Sequence, residues 1–85
     1  MTAVSNTINV TNTTFDTVEN LASITMTNGN TYSIQIQGIV DFKVANAIFT
    51  FIDKEFIFTQ GTDAVYIRSL GMPAKFTILE NEEGS

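Results

Sequence analysis

The chain has 85 residues, no cysteine, no histidine and a formal net charge of −5. That length accommodates one domain, and the missing residue types exclude disulfides, thiolate nucleophiles, Ser-His-Asp triads, cysteine or histidine zinc sites and imidazole proton shuttles from within the chain. Lys43, Lys54, Arg68 and Lys75 are the only cations and no two are adjacent, so the clustered basic face that nucleic acid requires is not expected.

Residues 1–20 are rich in Thr and Asn, with apolar side chains thinly placed at Val4, Ile8, Val10, Phe15 and Val18. The segment can supply an arm or an edge strand but cannot nucleate a core, and Ile8-Asn9-Val10 alternates as extended structure does. Its opening lacks the basic start and continuous apolar stretch of a secretory signal. No apolar run approaches the roughly 18 to 20 residues of a membrane helix, so no membrane partner is expected and the chain is placed in the cytoplasm where it is made. Asp16-Thr17-Val18-Glu19 has the spacing of a capping box, which allows one helical turn toward Leu21.

The stretches 22–27 and 31–37 alternate apolar and polar residues on either side of Asn28-Gly29-Asn30, which predicts a hairpin. A three-residue loop keeps Met26 with Tyr32, Ile24 with Ile34 and Ala22 with Ile36 on one side, and puts Asn30 in the left-handed region. Between Ile39 and Ile48 the period is ambiguous. Phe42, Ala45, Phe49 and Ile52 would line a helix, but the Val, Ile and Phe content and the alternation around Asp41 and Lys43 favour strand.

Phe49, Phe51, Phe56 and Phe58 fall on one face if Asp53-Lys54 is a hairpin tip. A turn at Gln60-Gly61-Thr62-Asp63 that pairs Thr59 with Ala64 then sets Phe58 opposite Val65 and Phe56 opposite Ile67, completing a meander. Leu70-Gly71-Met72-Pro73 turns the chain once more into a strand over 75–80 with Phe76 and Ile78 on one side. Residues 81–85 read as an acidic tail.

The second face of that meander carries Ile52, Ile57 and Tyr66 among polar residues, so both faces of a short chain need cover. Closure into a small barrel or sandwich provides it, and so does a partner. Ile52, Ile57 and Tyr66, with Ile8 and Val10 of the N-terminal strand, are therefore the candidate interface residues.

No motif points to chemistry. Asp53 and Glu55 flank Lys54 at a turn, with Asp41 and Asp63 elsewhere; paired carboxylates about 5 to 10 Å apart can cleave glycosides, but turn carboxylates ordinarily serve the turn. The glycines punctuate turns rather than forming a phosphate loop, and no alternating Asp and Asn run suggests calcium. The seven phenylalanines lack the interleaved cations of a nucleic-acid stacking platform, which assigns them to the core.

The expectation is an all-β domain over 21–80, an antiparallel meander of five to six strands closing into a barrel or sandwich with room for one short helix. No catalytic, metal or cofactor residue is assigned. The Thr and Asn richness and the doubly apolar sheet are a style of composition associated with small phage or viral structural proteins. This suggests a non-enzymatic assembly protein, a minor capsid, decoration or tail component, whose partner is itself or a larger shell. The alternative is a small acidic inhibitor or adaptor that binds one host protein, as phage counter-defence proteins do.

Overall fold

The computed structural model describes residues 2–81. Period-two alternation of apolar residues runs through most of the chain and gives nine strands around one short helix: β1 (Thr2–Ala3), β2 (Ile8–Val10), β3 (Asp16–Thr17), α1 (Val18–Ala22), β4 (Thr31–Gln37), β5 (Ile39–Val44), β6 (Ala47–Ile52), β7 (Glu55–Thr59), β8 (Val65–Ser69) and β9 (Ala74–Asn81). They form two antiparallel sheets. In sheet A, β1 and β2 both lie along β9, which is followed by β4 and β7; sheet B has the order β3-β8-β5-β6.

The sheets stack as a sandwich, the all-β closure expected of a chain with apolar residues on alternate positions. Tyr32, Ile34, Ile36, Phe76 and Ile78 from sheet A meet Val40, Phe42, Val65 and Ile67 from sheet B, all buried. A core of aromatic and β-branched side chains is what holds a chain without cross-links.

The helix forms where the sequence allowed it, with the cap shifted by one residue. Thr17, extended at ψ 143°, accepts the Asn20 amide at 3.1 Å. Glu19 is released from the expected capping box and accepts the Met26 amide at 2.7 Å. Ser23 ends the helix in the left-handed region at φ 57°.

The hairpin expected between 22–27 and 31–37 does not form. β4 is instead the inner strand between β9 and β7, pairing Tyr32 with Glu80 and Phe58, and Ile34 with Ile78 and Phe56. The alternation of Ala22, Ile24 and Met26 is real, but it docks an unladdered segment against the core, with Met26 buried. Gly29, at φ 94°, takes the positive dihedral assigned to Asn30.

The meander over 49–69 is also corrected. β6 belongs to sheet B and β7 to sheet A, so the chain crosses between layers at Asp53-Lys54, and crosses back before β8. Phe56 and Phe58 face Ile34 and Tyr32, while Val65 and Ile67 face Val44 and Phe42. The four phenylalanines nonetheless point to one space, the interior between the sheets. Between Ile39 and Ile48, where strand was favoured over helix, the chain is indeed extended: β5 and β6 are an antiparallel strand pair joined at Ala45-Asn46.

The N-terminal segment is built into both layers. Thr2 and Ala3 pair with Glu80 and Leu79, and Ile8 to Val10 pair with Phe76 to Ala74. Between them the Val4 amide donates to Ile78 O and the Ile78 amide to Ser5 Oγ, each at 2.9 Å. β3 then joins sheet B, and Val18 is fully buried. Of the acidic tail, residues 82–85 lie outside the described residues.

Candidate protein interaction surface

A sandwich of open sheets has four edges, and each must be covered, shortened or charged if the chain is to remain alone. β1 and β2, on one edge of sheet A, are two and three residues long. β3, on one edge of sheet B, has two residues and runs directly into α1. β7, the other edge of sheet A, opens on Glu55 immediately after Lys54. The remaining edge, β6, carries none of these devices: six residues, Ala-Ile-Phe-Thr-Phe-Ile, with no charge and no proline.

Hydrogen-bond phase fixes which groups β6 offers. The Asp53 amide donates to Gly38 O at 3.0 Å, and Asp53 stands one position beyond the Ile52–Ile39 pair. In an antiparallel ladder, bonded and non-bonded pairs alternate. Phe51, Phe49 and Ala47 therefore turn their amides and carbonyls to β5, and Ile48, Thr50 and Ile52 turn theirs outward.

The side chains are equally open. On the outer face Ile48 and Ile52 are each 53% exposed, and on the inner face Phe49 is 45% exposed. Thr50, between the two isoleucines, donates to Asp41 Oδ1 at 2.7 Å. The other oxygen of that carboxylate accepts Arg68 Nε at 3.1 Å and Nη2 at 3.0 Å. The Arg68 guanidinium stacks 4.3 Å from the Phe15 ring, with Lys43 on the same ring at 5.7 Å. Behind the isoleucines, this network ties the outer face of β6 through β5 to β8.

On the inner side the sheets part between β6 and β7 into a cleft of about 360 Å³. Val44, Phe49, Phe56, Phe58 and Val65 line it, together with residues 59–63. Gln60, also at its wall, has a buried Oε1 without a hydrogen-bonding partner among the described residues.

The residues expected to dock are not brought together. Ile52 and Tyr66 lie on the outer face of sheet B, and Ile57, 57% exposed, lies on the outer face of sheet A. The crossing at Asp53-Lys54 puts them on opposite sides of the sandwich. Ile8 is half-buried against the core, and Val10, 3% exposed, is part of it. Sequence patterning did not mark Ile48 and Phe49 as surface groups; a run apolar at both parities next to a two-residue turn was the available signal.

Three of the four carboxylates weighed for chemistry hold the fold. Asp41 pairs with Arg68, Asp53 Oδ1 accepts the Gly38 amide at 2.7 Å, and Glu55 accepts Ser33 Oγ and Gln35 Nε2. Among the described residues no three ligating side chains converge on a position for a metal ion, and no helix is long and apolar enough to cross a membrane.

No family model matches the chain, and no curated protein or solved structure does. What the architecture of the described residues defines is a class, an all-β sandwich with three protected edges and one open one.

Proposed function

We propose that this is a non-enzymatic structural protein that works by association, with copies of itself or with a larger protein shell such as a virion builds. The observation that carries this reading is β6, an uncharged edge strand that exposes apolar side chains on both faces together with an unpaired row of amides and carbonyls. Strand addition to such an edge provides affinity through main-chain bonds and specificity through alternate side chains. A net charge of −5 keeps the free chain soluble and disfavours unspecific contact between copies, so association is confined to surfaces where charge is absent.

The test is the mass of the purified chain by light scattering after size exclusion over a tenfold range of concentration. A mass above 9.3 kDa that rises with concentration supports association. A mass fixed at 9.3 kDa throughout contradicts self-assembly, and favours an acidic monomer that binds a different protein.

A further inference from the structure

Resting on that reading, the geometry points to a specific occupant of the open edge: β6 of a second copy, antiparallel, in the register that places Thr50 opposite itself. Three observations select it. The first is that β6 has no charge within the strand, whereas β7, the other full-length edge, begins with the charged Glu55.

The second is phase. Ile48, Thr50 and Ile52 present the outward amides and carbonyls, as the Asp53–Gly38 bond requires. Two antiparallel copies that pair residues of the same parity keep inner faces inner and outer faces outer, so sheet B continues into a sheet twice as wide. Centred on Thr50, all three outward residues form bonded pairs: Ile48 with the second copy's Ile52, Thr50 with Thr50, and Ile52 with Ile48. Shifting by one residue joins inner to outer faces. Shifting the centre to Phe49 leaves Ile52 unpaired.

The third is side-chain match. The Thr50-centred register sets isoleucine against isoleucine on the outer face, Phe49 against Phe51 on the inner face, and threonine against threonine at the axis, all favourable cross-strand pairs. Residues 44–52 carry no charge, so two chains of net charge −5 meet there without opposing like charges. The inner pair also extends the aromatic lining of the Phe49, Phe56 and Phe58 cleft across the junction.

The chain lacks cysteine, so single cysteines report the register directly. Thr50→Cys places two thiols across a bonded pair whose Cα atoms stand about 5.5 Å apart, within disulfide reach. Ile48→Cys leaves its two thiols about 14 Å apart along the strands, four residues out of step. Under mild oxidant the expected result is a covalent dimer from Thr50→Cys and none from Ile48→Cys or from Ile57→Cys on the far side of the sandwich. Ile48→Pro removes an outward amide that makes no bond within the chain, a substitution edge strands tolerate. It weakens association about tenfold or more in light scattering while the circular dichroism spectrum stays native.

If the native chain associates and Ile48→Pro associates equally well, the β6 pairing is wrong and assembly through another surface stands. Equal cross-linking of Ile48→Cys and Thr50→Cys overturns the register. A native chain that is monomeric at every concentration overturns both the pairing and self-assembly.

Discussion

Phe51 and Phe56 are separated by four residues, yet they belong to different sheets and meet across the interior with ring centroids 5.1 Å apart, edge to face at 64°. Phe42 stands 5.4 Å from Phe51 and 4.9 Å from Phe56, and Phe58 continues the series 5.0 Å from Phe56. These rings join the layers beside the open edge. A double-mutant cycle with Phe51→Leu and Phe56→Leu is expected to show a coupling of about 0.5 to 1.5 kcal/mol in urea unfolding, beyond the loss from each substitution alone.

Two backbone positions with positive φ respond in opposite directions. Gly38, at φ 98°, has no room for a side chain, because a Cβ would stand 2.6 Å from the Pro73 carbonyl oxygen and 3.0 Å from Ala74 Cα. Gly38→Ala is expected to cost more than about 3 kcal/mol, read as a fall in the urea midpoint or failure to fold. Ala45, in the β5–β6 turn at φ 55°, holds a conformation that a Cβ penalises. Ala45→Gly is expected to gain about 0.5 to 1 kcal/mol, the relief of that penalty less the entropy glycine adds to the unfolded chain.

Tyr32 and Glu80 give the stability curve two limbs. The Tyr32 hydroxyl donates to Glu80 Oε2 at 2.6 Å and accepts the Thr27 amide at 2.7 Å, while Asn30 Nδ2 also donates to that carboxylate at 3.0 Å. The Tyr32 and Asn30 bonds hold the Glu80 carboxyl below its ordinary 4.5, and burial, followed by the Glu80 bond, holds the Tyr32 phenol above its ordinary 10.0. A lowered acid stabilises the fold above pH 4.5 and loses that contribution as pH falls through its folded value. A raised phenol stabilises below pH 10.0 and loses its contribution as pH rises through its own folded value. Glu80→Gln should flatten the acid limb and leave most of the alkaline one, since burial is the main cause there. Tyr32→Phe should flatten both, because the phenol is also the first cause of the Glu80 shift. Thermal melts between pH 3 and 11 check the pattern.

Asp41 is buried against Arg68, whose side chain is 33% exposed. Removing the cation leaves a desolvated carboxylate with the Thr50 hydroxyl as its remaining side-chain donor among the described residues. Arg68→Ala is expected to cost about 2 kcal/mol, and the double variant Asp41→Asn with Arg68→Ala to recover part of it. Chemical denaturation of the two variants beside the native chain checks the order.

The sequence carried the side of each strand better than its layer. Phe56, Phe58, Phe76 and Ile78 point inward as alternation says, because period two depends only on which face meets the core. Sheet membership depends on where the chain crosses, and Asp53-Lys54 looks the same as a hairpin tip or as a crossing. The same ambiguity separated Ile57 from Ile52 and Tyr66. Val10 was misplaced for another reason: in a polar arm it resembles a docking residue, and only the β9 pairing shows that it fills this chain's own core. β6 was legible as a strand, since the Val, Ile and Phe content outweighed the helical pattern of Phe42, Ala45, Phe49 and Ile52, but its place at an edge was not, because reading Asp53-Lys54 as a hairpin tip pairs it with β7.

Amide hydrogen exchange by nuclear magnetic resonance, residue by residue and at two concentrations a hundredfold apart, addresses the open edge most directly. The amides of Phe49 and Phe51, bonded to β5, should be protected at both concentrations, while those of Ile48, Thr50 and Ile52 should exchange freely in dilute solution and become protected in the concentrated one. Fast exchange of Ile48, Thr50 and Ile52 at both concentrations would contradict association through this strand.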